Sequence, residues 1–223
     1  YRAALVAGNL AALHWLLVNA VEDSTDESDS ADDEPAPAGS FLMYMEWPTP
    51  PGTAGDPVSI LAAHGHLAAL RLALEISPDC LDEAARSCVY AAAGGHLEVL
   101  QYLRAHVLYW APSESEAYMH GGDTAVCDAA ARGGHLEVLQ WACSHGYLAD
   151  EKTCGAAAEH GHLEVLQWLH LTAGCALNRW ACDLAATHGH LAVLQWLRSV
   201  RSDWTSNAIT MAAFNGHTEV VHW

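Results

Sequence analysis

The sequence predicts an all-α solenoid, in which pairs of helices joined by a turn stack side by side. The first observation is a nine-residue phrase, Gly-His-Leu-Glu-Val-Leu-Gln-Trp-Leu at Gly161–Leu169, which recurs in variant form through the 223 residues. The second is its spacing, because successive glycines from Gly134 onward stand 27, 28 and 27 residues apart. Self-similarity at a fixed period of this length is typical of repeat architectures. The seven copies begin at Gly8, Gly65, Gly95, Gly134, Gly161, Gly189 and Gly216.

Each repeat is predicted to contain two short helices, and residues 153–169 illustrate the reasoning. Thr153–His160 is rich in small residues, and Gly161 supplies the permissive backbone that commonly ends a helix. Leu163–Leu169 carries a wide apolar stripe, with Glu164 in the first turn where a carboxylate complements the helix dipole. Neither helix can bury its stripe alone, so neighbouring repeats must cover it.

Three side-chain classes recur in phase with the glycine. Paired alanines stand four and three residues before it, and they let helices of neighbouring repeats approach closely. Aromatic residues stand seven residues after it in every copy except the second, which has Leu72, and we interpret them as a stacking seam whose burial contributes roughly 3–5 kcal/mol per ring. Four cysteines stand seven residues before it, and we interpret them as core positions because free cysteine packs like a small hydrophobe. The aromatics are Trp15, Tyr102, Trp141, Trp168, Trp196 and Trp223, and the cysteines are Cys88, Cys127, Cys154 and Cys182.

The phrase Ala-Ala-x-x-Gly-His-Leu-Glu-Val-Leu resembles the second half of the ankyrin repeat, most closely the divergent short-period arrays of protists, algae and large viruses. Two features depart from that family. Its Thr-Pro-Leu-His tetrapeptide is replaced by Lys152–Gly155 in one copy and Trp180–Asp183 in the next. The unit is also some five residues shorter than the usual ~33. The resemblance implies an ankyrin-like solenoid that keeps the paired helices and has shortened or absent β-hairpin fingers.

We predict a single ankyrin-repeat solenoid over residues 1–223, with about seven repeats of which the first and last are incomplete. Solenoids need polar caps at their ends, and neither the start at Tyr1 nor the end at Trp223 resembles one. We therefore expect the sequence to be an excerpt of a longer array. Two insertions interrupt the period, at residues 21–57 and 107–122.

The first insertion, residues 21–57, opens with eight acids in thirteen residues. Such a run cannot bury a core, so it should be solvated, and it suits a partner with a basic patch. Ser24 and Ser30 each have an acid three residues on, which makes acid-directed phosphorylation a hypothesis. The apolar stretch Phe41–Trp47 either folds back on the solenoid or docks another chain.

The second insertion, residues 107–122, contains Tyr109 and Trp110. It is either a long loop packed on its own repeats or an interaction loop. Loops of this length in compact arrays are usually functional or disordered, and aromatic residues are enriched at interfaces.

Composition and motifs exclude several functions. A formal net charge of −18, with only nine scattered Lys and Arg, argues against nucleic acid as a partner. No apolar run approaches the roughly 20 residues that a membrane helix needs. The sequence has no Gly-x-Gly-x-x-Gly, P-loop, Gly-x-Ser-x-Gly or His-Glu-x-x-His motif, so we predict neither an enzyme nor a cofactor. The cysteine usage favours a reducing compartment, so we predict an intracellular and cytoplasmic protein.

The fifteen histidines invite a metal hypothesis. Three copies read His-x-His, a spacing that can hold a metal, but no carboxylate or cysteine recurs with it in ligand spacing. We therefore predict no metal site. We interpret the imidazole of the Gly-His phrase as a side chain that bonds the local backbone at the turn.

The function that fits is binding of another protein, as a scaffold or adaptor. The resemblance implies that the partner lies on the concave face, where residues just before Gly-His differ between repeats. Those residues are either a recognition surface or unconstrained solvent positions. Two alternatives stay open: a structural subunit of a large assembly, and the substrate-recruiting part of a longer enzyme or ubiquitin-ligase adaptor. The candidate partner-binding residues are His64, Arg132, Glu159, His160, Thr187, His188, Phe214, Asn215, Tyr109 and Trp110.

Overall fold

A computed structural model describes residues 57–76, 84–110, 123–177, 179–200, 202 and 206–223. The repeat copy at Gly8, most of the first insertion with Ser24 and Ser30, and most of the second insertion lie outside these residues. The chain divides into two compact units, Tyr1–Pro112 and Ser113–Trp223. The single seven-repeat array therefore stays a prediction, and each unit is described by itself.

In the first unit, the described residues form two helical hairpins. The first hairpin joins α1 (Pro57–Ala63) to α2 (Leu67–Ile76), and the second joins α3 (Ala84–Ala93) to α4 (Leu97–Trp110). Helix α1 packs against α3, and each first helix also packs against its own second helix. Helix α4 continues through Trp110, so the first four residues of the predicted loop insertion are helical.

In the second unit, four hairpins follow one another along the chain. The first helices pack in order, α5 on α7, α7 on α9 and α9 on α11, and each also contacts its own second helix. The connections 145–150 and 172–177 contain no strand, and all regular elements in the described residues are helices. The predicted all-α solenoid without β-hairpin fingers is thereby confirmed. The eight helices are α5 (Asp123–Gly133), α6 (Leu136–Ser144), α7 (Glu151–Glu159), α8 (Leu163–Leu171), α9 (Arg179–Thr187), α10 (Leu191–Ser199), α11 (Ser206–Phe214) and α12 (Thr218–His222).

Each hairpin turns at the glycine of the Gly-His phrase, which we call the turn glycine. Gly161 has φ +77°, a left-handed conformation that other residues adopt only with strain. Its N–H donates to Ala158 O and the N–H of His162 donates to Ala157 O, the paired bonds of a Schellman motif. His162 is also the N-cap residue of α8, so the second helix begins one residue after the first helix has been capped. The glycine and histidine that open the nine-residue phrase therefore end the first helix and begin the second.

The core consists of the residues that repeat most strictly. The second helix contributes residues such as Val165, Leu166 and Leu169, and the first helix contributes paired alanines such as Ala157 and Ala158, all of them buried. The small residues bring first helices close together: a Cβ added to Gly155 would lie 3.4 Å from Leu184 Cδ1 of the next repeat. The four in-phase cysteines Cys88, Cys127, Cys154 and Cys182 are buried free thiols, as predicted.

The aromatic side chains seven residues after the turn glycine are less buried than the sequence analysis expects. The rings of Tyr102, Trp141, Trp168 and Trp196 are half-buried, and Trp223 is exposed. Their ring partners include cationic or imidazole side chains of the preceding repeat, because Arg71 lies 5.0 Å from the Tyr102 centroid and His170 lies 5.9 Å from that of Trp196. Because these rings are only half-buried, each contributes less to stability than the roughly 3–5 kcal/mol expected for a buried indole.

Candidate partner-binding surface

The first helices of the second unit present a row of side chains that differ from repeat to repeat. Residues nine and two positions before the turn glycine are seven apart, so they share one face of the helix. We call this row the first-helix face. It comprises Ala125 and Arg132 on α5, Lys152 and Glu159 on α7, Trp180 and Thr187 on α9, and Asn207 and Phe214 on α11.

Two large aromatic side chains stand out on the first-helix face. Phe214 is 87% exposed and Trp180 is 57% exposed. Exposed tryptophan is uncommon in a globular surface and enriched at interfaces. The sequence analysis includes Phe214 but misses Trp180, although Trp180 stands in repeat phase with Lys152 and Asn207 and differs from both, which is the signal that could have found it.

The charged members of the face carry both signs. Arg132 and Lys152 are exposed, whereas Glu159 is half-buried. Thr187 is half-buried, and its hydroxyl donates to Asp183 O at 2.7 Å, within its own helix. Because the row contains two cations, an anion and two aromatic rings, the face suits recognition of another polypeptide better than of a uniformly charged polymer.

The candidates directly before the turn glycine cap their own helices. His160 Nδ1 lies 3.1 Å from Ala156 O, and His188 Nδ1 lies 3.1 Å from Leu184 O. Asn215 does the same, because its Nδ2 donates to Met211 O at 2.9 Å. These side chains are exposed, but the C-capping hydrogen bond that each makes is enough to explain why the residue is polar, and no partner protein is needed to explain it.

The remaining candidates belong to the first unit. His64 belongs to the first unit, where it is exposed and its ring centroid lies 6.2 Å from that of His66. Tyr109 and Trp110 lie in the last turn of α4, and their side chains are outside the described part of the structure. Ser24 and Ser30 are likewise outside it.

The imidazole of the Gly-His phrase contacts the preceding repeat, so the prediction that it bonds the local backbone is wrong. His190 Nε2 lies 2.9 Å from Glu159 O and His217 Nε2 lies 2.8 Å from Thr187 O. Because a carbonyl oxygen only accepts, Nε2 carries the proton and donates it. The same bond joins His96 to Ala63 at 3.2 Å and His162 to Arg132 at 2.8 Å.

A second cross-repeat link is a hydrogen bond between two polar side chains. The hydroxyl of the fully buried Thr153 donates to Asp128 Oδ1 in the preceding repeat. The same hydroxyl accepts the N–H of Asp150, whose Oδ1 accepts the N–H groups of Lys152 and Thr153, so Asp150 caps α7. Burial raises the pKa of Asp128, while the hydrogen bond from Thr153 opposes that rise.

Metal ligation finds no support in the part of the chain that the structure covers. Within those residues, no group of three or more His, Cys, Asp or Glu side chains is arranged to hold a metal. The His-x-His rings stack instead, with 6.3 Å between the centroids of His160 and His162. None of the described helices has the length and apolar character needed to cross a membrane.

The geometry defines a helical-hairpin repeat protein, whose hairpins are joined by a glycine–imidazole contact and display a variable face on their first helices. Residues 154–198 and 182–223 match the family model of ankyrin repeats in many copies. This part of the chain belongs to the ankyrin repeat family, whose members are in general protein–protein interaction modules and typically not enzymes. The comparison with curated proteins gave no match.

Proposed function

We propose that the protein is a scaffold or adaptor that binds another protein through the first-helix face, assisted by its two insertions. The observation that carries the proposal is the exposure of Trp180 and Phe214 on a face where neighbouring residues change from repeat to repeat. Aromatic side chains dominate the free energy of many interfaces when they enter a pocket on the partner. The fixed core beneath them holds their position, which lowers the entropy lost on binding.

The partner that fits best is a polypeptide with a basic patch. The acidic run of residues 22–34 contributes eight of the 27 acids, and it would attract such a partner over a distance of about a Debye length. The six free cysteines among the described residues fit a reducing compartment, so we place the protein inside the cell. Phosphorylation of Ser24 and Ser30 would add negative charge to the same run.

The test is affinity purification of the full chain with mass spectrometry, comparing the unmodified protein with Trp180→Ala/Phe214→Ala. We expect recovery of the specific partner to fall by about tenfold or more, because aromatic hot spots contribute roughly 2 kcal/mol or more each. Leu171→Ala is the matched control, since Leu171 is a 71% exposed apolar side chain at the end of α8, away from the first-helix face.

Undiminished recovery with the double variant, and unchanged circular dichroism, would contradict the proposed surface. Equal losses with the double variant and with Leu171→Ala would indicate general apolar adhesion. A partner that co-purifies stoichiometrically at high salt and ignores both variants would favour the structural-subunit alternative, in which other parts of the chain dock.

A further inference from the structure

The C-capping side chains of three successive hairpins in the second unit share one arrangement. They are His160, His188 and Asn215, which stand directly before the turn glycines at the ends of α7, α9 and α11. All three are exposed, and we call them the turn row. Each contacts the carbonyl oxygen four residues earlier, at 3.1 Å from Nδ1 of both histidines and at 2.9 Å from Nδ2 of the asparagine.

The capping bonds fix which atom of each side chain faces away from the helix. Because a carbonyl oxygen only accepts hydrogen bonds, Nδ1 of His160 and of His188 must carry the proton. In the neutral imidazole Nε2 then keeps a lone pair and has no proton. Asn215 is oriented in the same sense, since Nδ2 donates to the helix and Oδ1 is directed away from it. The turn row therefore presents three hydrogen-bond acceptors, one from each hairpin.

The charge around the turn row favours a cationic donor over a neutral one. The six-residue segments 159–164, 187–192 and 214–219, which contain the three turns, include three glutamates and neither lysine nor arginine. Glu164 and Glu219 are exposed in the first turns of α8 and α12, directly after the turns. A positively charged group that donates a hydrogen bond to the turn row therefore meets negative charge close by.

The spacing of the turn row indicates the conformation of a matching ligand. Helix α7 packs on α9 and α9 packs on α11, and packed helices lie about 8–10 Å apart. A polyproline II segment has three residues per turn and advances about 9 Å in each turn. Its positions i, i+3 and i+6 therefore lie along one edge at the spacing of the turn row. In a β-strand, residues three apart point to opposite faces, so a strand does not match.

We propose that the turn row binds a polyproline II segment of a partner protein that carries arginine at every third position. One guanidinium donates to Nε2 of His160, the next to Nε2 of His188 and the third to Oδ1 of Asn215. Arginine suits these acceptors because its five N–H donors are held in a rigid plane. The segment is already extended before binding, so little conformational entropy is lost. The proposal adds a contact to the scaffold function proposed above, and it rests on that function only in taking the partner to be a basic polypeptide.

The test titrates the full 223-residue chain into two labelled peptides at pH 7.5 and follows fluorescence anisotropy. The first peptide is acetyl-Arg-Pro-Pro-Arg-Pro-Pro-Arg-amide, and the second is acetyl-Arg-Pro-Arg-Pro-Arg-Pro-Pro-amide, which has the same composition and charge. We expect the first to bind about tenfold more tightly, because only its arginines reach successive acceptors and the second loses at least one charge-assisted hydrogen bond. Equal affinities would mean that net charge alone attracts both peptides, and would overturn the proposal.

Substitutions at the turn row test whether the acceptors themselves bind the peptide. His160→Ala/His188→Ala should weaken binding of the first peptide about tenfold. His160→Asn/His188→Asn should stay within about threefold of the unmodified chain, because asparagine can cap the helix and present an acceptor as Asn215 does. His145→Ala is the matched control, since the His145 imidazole is exposed and caps α6 at the end far from Gly134. Unchanged binding by the alanine double variant, or equal losses with alanine and asparagine, would overturn the proposal.

The comparison of the two peptides is made on the unmodified chain, so it decides the proposal even if an alanine variant fails to fold. Trp180→Ala/Phe214→Ala separates the turn row from the first-helix face, and it should bind the first peptide as tightly as the unmodified chain. Loss of the partner with that variant, together with equal affinities for the two peptides, would leave the first-helix face standing and sink the turn row. Preferential binding of the first peptide, together with undiminished partner recovery, would do the reverse.

Discussion

At the residue scale, the contact between an imidazole and a turn glycine joins successive repeats. The ring of His190 lies so close to Gly161 that an added Cβ would be 2.6 Å from its Nδ1. The same close approach occurs at Gly65, Gly134 and Gly189. Glycine is therefore required at these positions twice, once for its left-handed φ and once for the space that the ring occupies.

Gly161→Ala should lower the free energy of unfolding by about 2–4 kcal/mol, because left-handed strain and overpacking against His190 add. Gly174→Ala is the control, since Gly174 has φ +72° and no atom within 4 Å of an added Cβ. It should cost only the strain, roughly 1–2 kcal/mol. Urea denaturation of both variants measures the difference, and equal losses would mean that the His190 ring moves aside freely.

The hydrogen bond from the His190 imidazole to the preceding repeat also makes stability depend on pH. Burial lowers the pKa of His190, the Glu159 carbonyl opposes this, and His188, His160 and His162 lower it further. As pH falls, the unfolded chain therefore takes up a proton on His190 before the folded chain does. The contribution of His190 to stability is present above its unfolded pKa of about 6.5. That contribution is lost as pH falls through the lower pKa of the folded state.

His190→Gln should flatten the fall in stability between pH 7.5 and pH 5.5 relative to the unmodified chain. The measurement is the urea midpoint as a function of pH. His222→Gln is the control, because the His222 ring is exposed and bonds only Thr218 O of its own helix. A pH profile unchanged by His190→Gln would show that other groups account for the acid sensitivity.

At the element scale, the sequence predicts the helices and their buried faces well, because both follow from residues in fixed phase. The positions of Cys154 and Leu166 in the core, and the turn at Gly161, are readable from a single repeat. The partner of each side chain across the interface is not readable in this way. Asp128 and Thr153 are 25 residues apart, and only the stacking of α5 on α7 brings them together.

Thr153→Val should destabilise the second unit by roughly 1–3 kcal/mol, since it leaves the N–H of Asp150 and the half-buried carboxylate of Asp128 without a hydroxyl partner. Thr210→Val on α11 is the matched change at an exposed hydroxyl and should stay within about 0.5 kcal/mol. Thermal unfolding distinguishes the two. Similar small effects would mean that water replaces the Thr153 hydroxyl.

The candidate surface is predicted only in part for a related reason. Phase and variability point to Arg132, Glu159 and Phe214, which do lie on the first-helix face. The position of a residue relative to the turn glycine does not by itself determine its exposure. The capping bonds of His160 and His188, and the exposure of Trp180, are therefore seen only in the folded structure.

At the scale of the whole molecule, charge is concentrated in one short stretch of the chain. Deleting residues 22–34 removes eight acids and takes the formal net charge from −18 to −10. We expect the helical circular dichroism signal to persist, because the run has too few apolar residues to contribute to a core. The salt dependence of partner affinity should weaken.

Titration of the partner at two salt concentrations checks this expectation. Replacing residues 22–34 with an uncharged Gly-Ser segment of equal length is the control for chain connectivity. If the deletion and the replacement leave the salt dependence intact, the attraction comes from charges elsewhere in the protein.

The imidazole hydrogen bonds between repeats place little constraint on which side chains surround them. The carbonyl groups that accept from the imidazoles belong to Ala63, Arg132, Glu159 and Thr187, four residues with unrelated side chains. These hydrogen bonds use only the main-chain carbonyl oxygens, so substitution at these positions leaves them intact. The side chains at these positions can therefore change in evolution, while the carbonyl oxygens of the same residues still accept the hydrogen bonds that join one hairpin to the next.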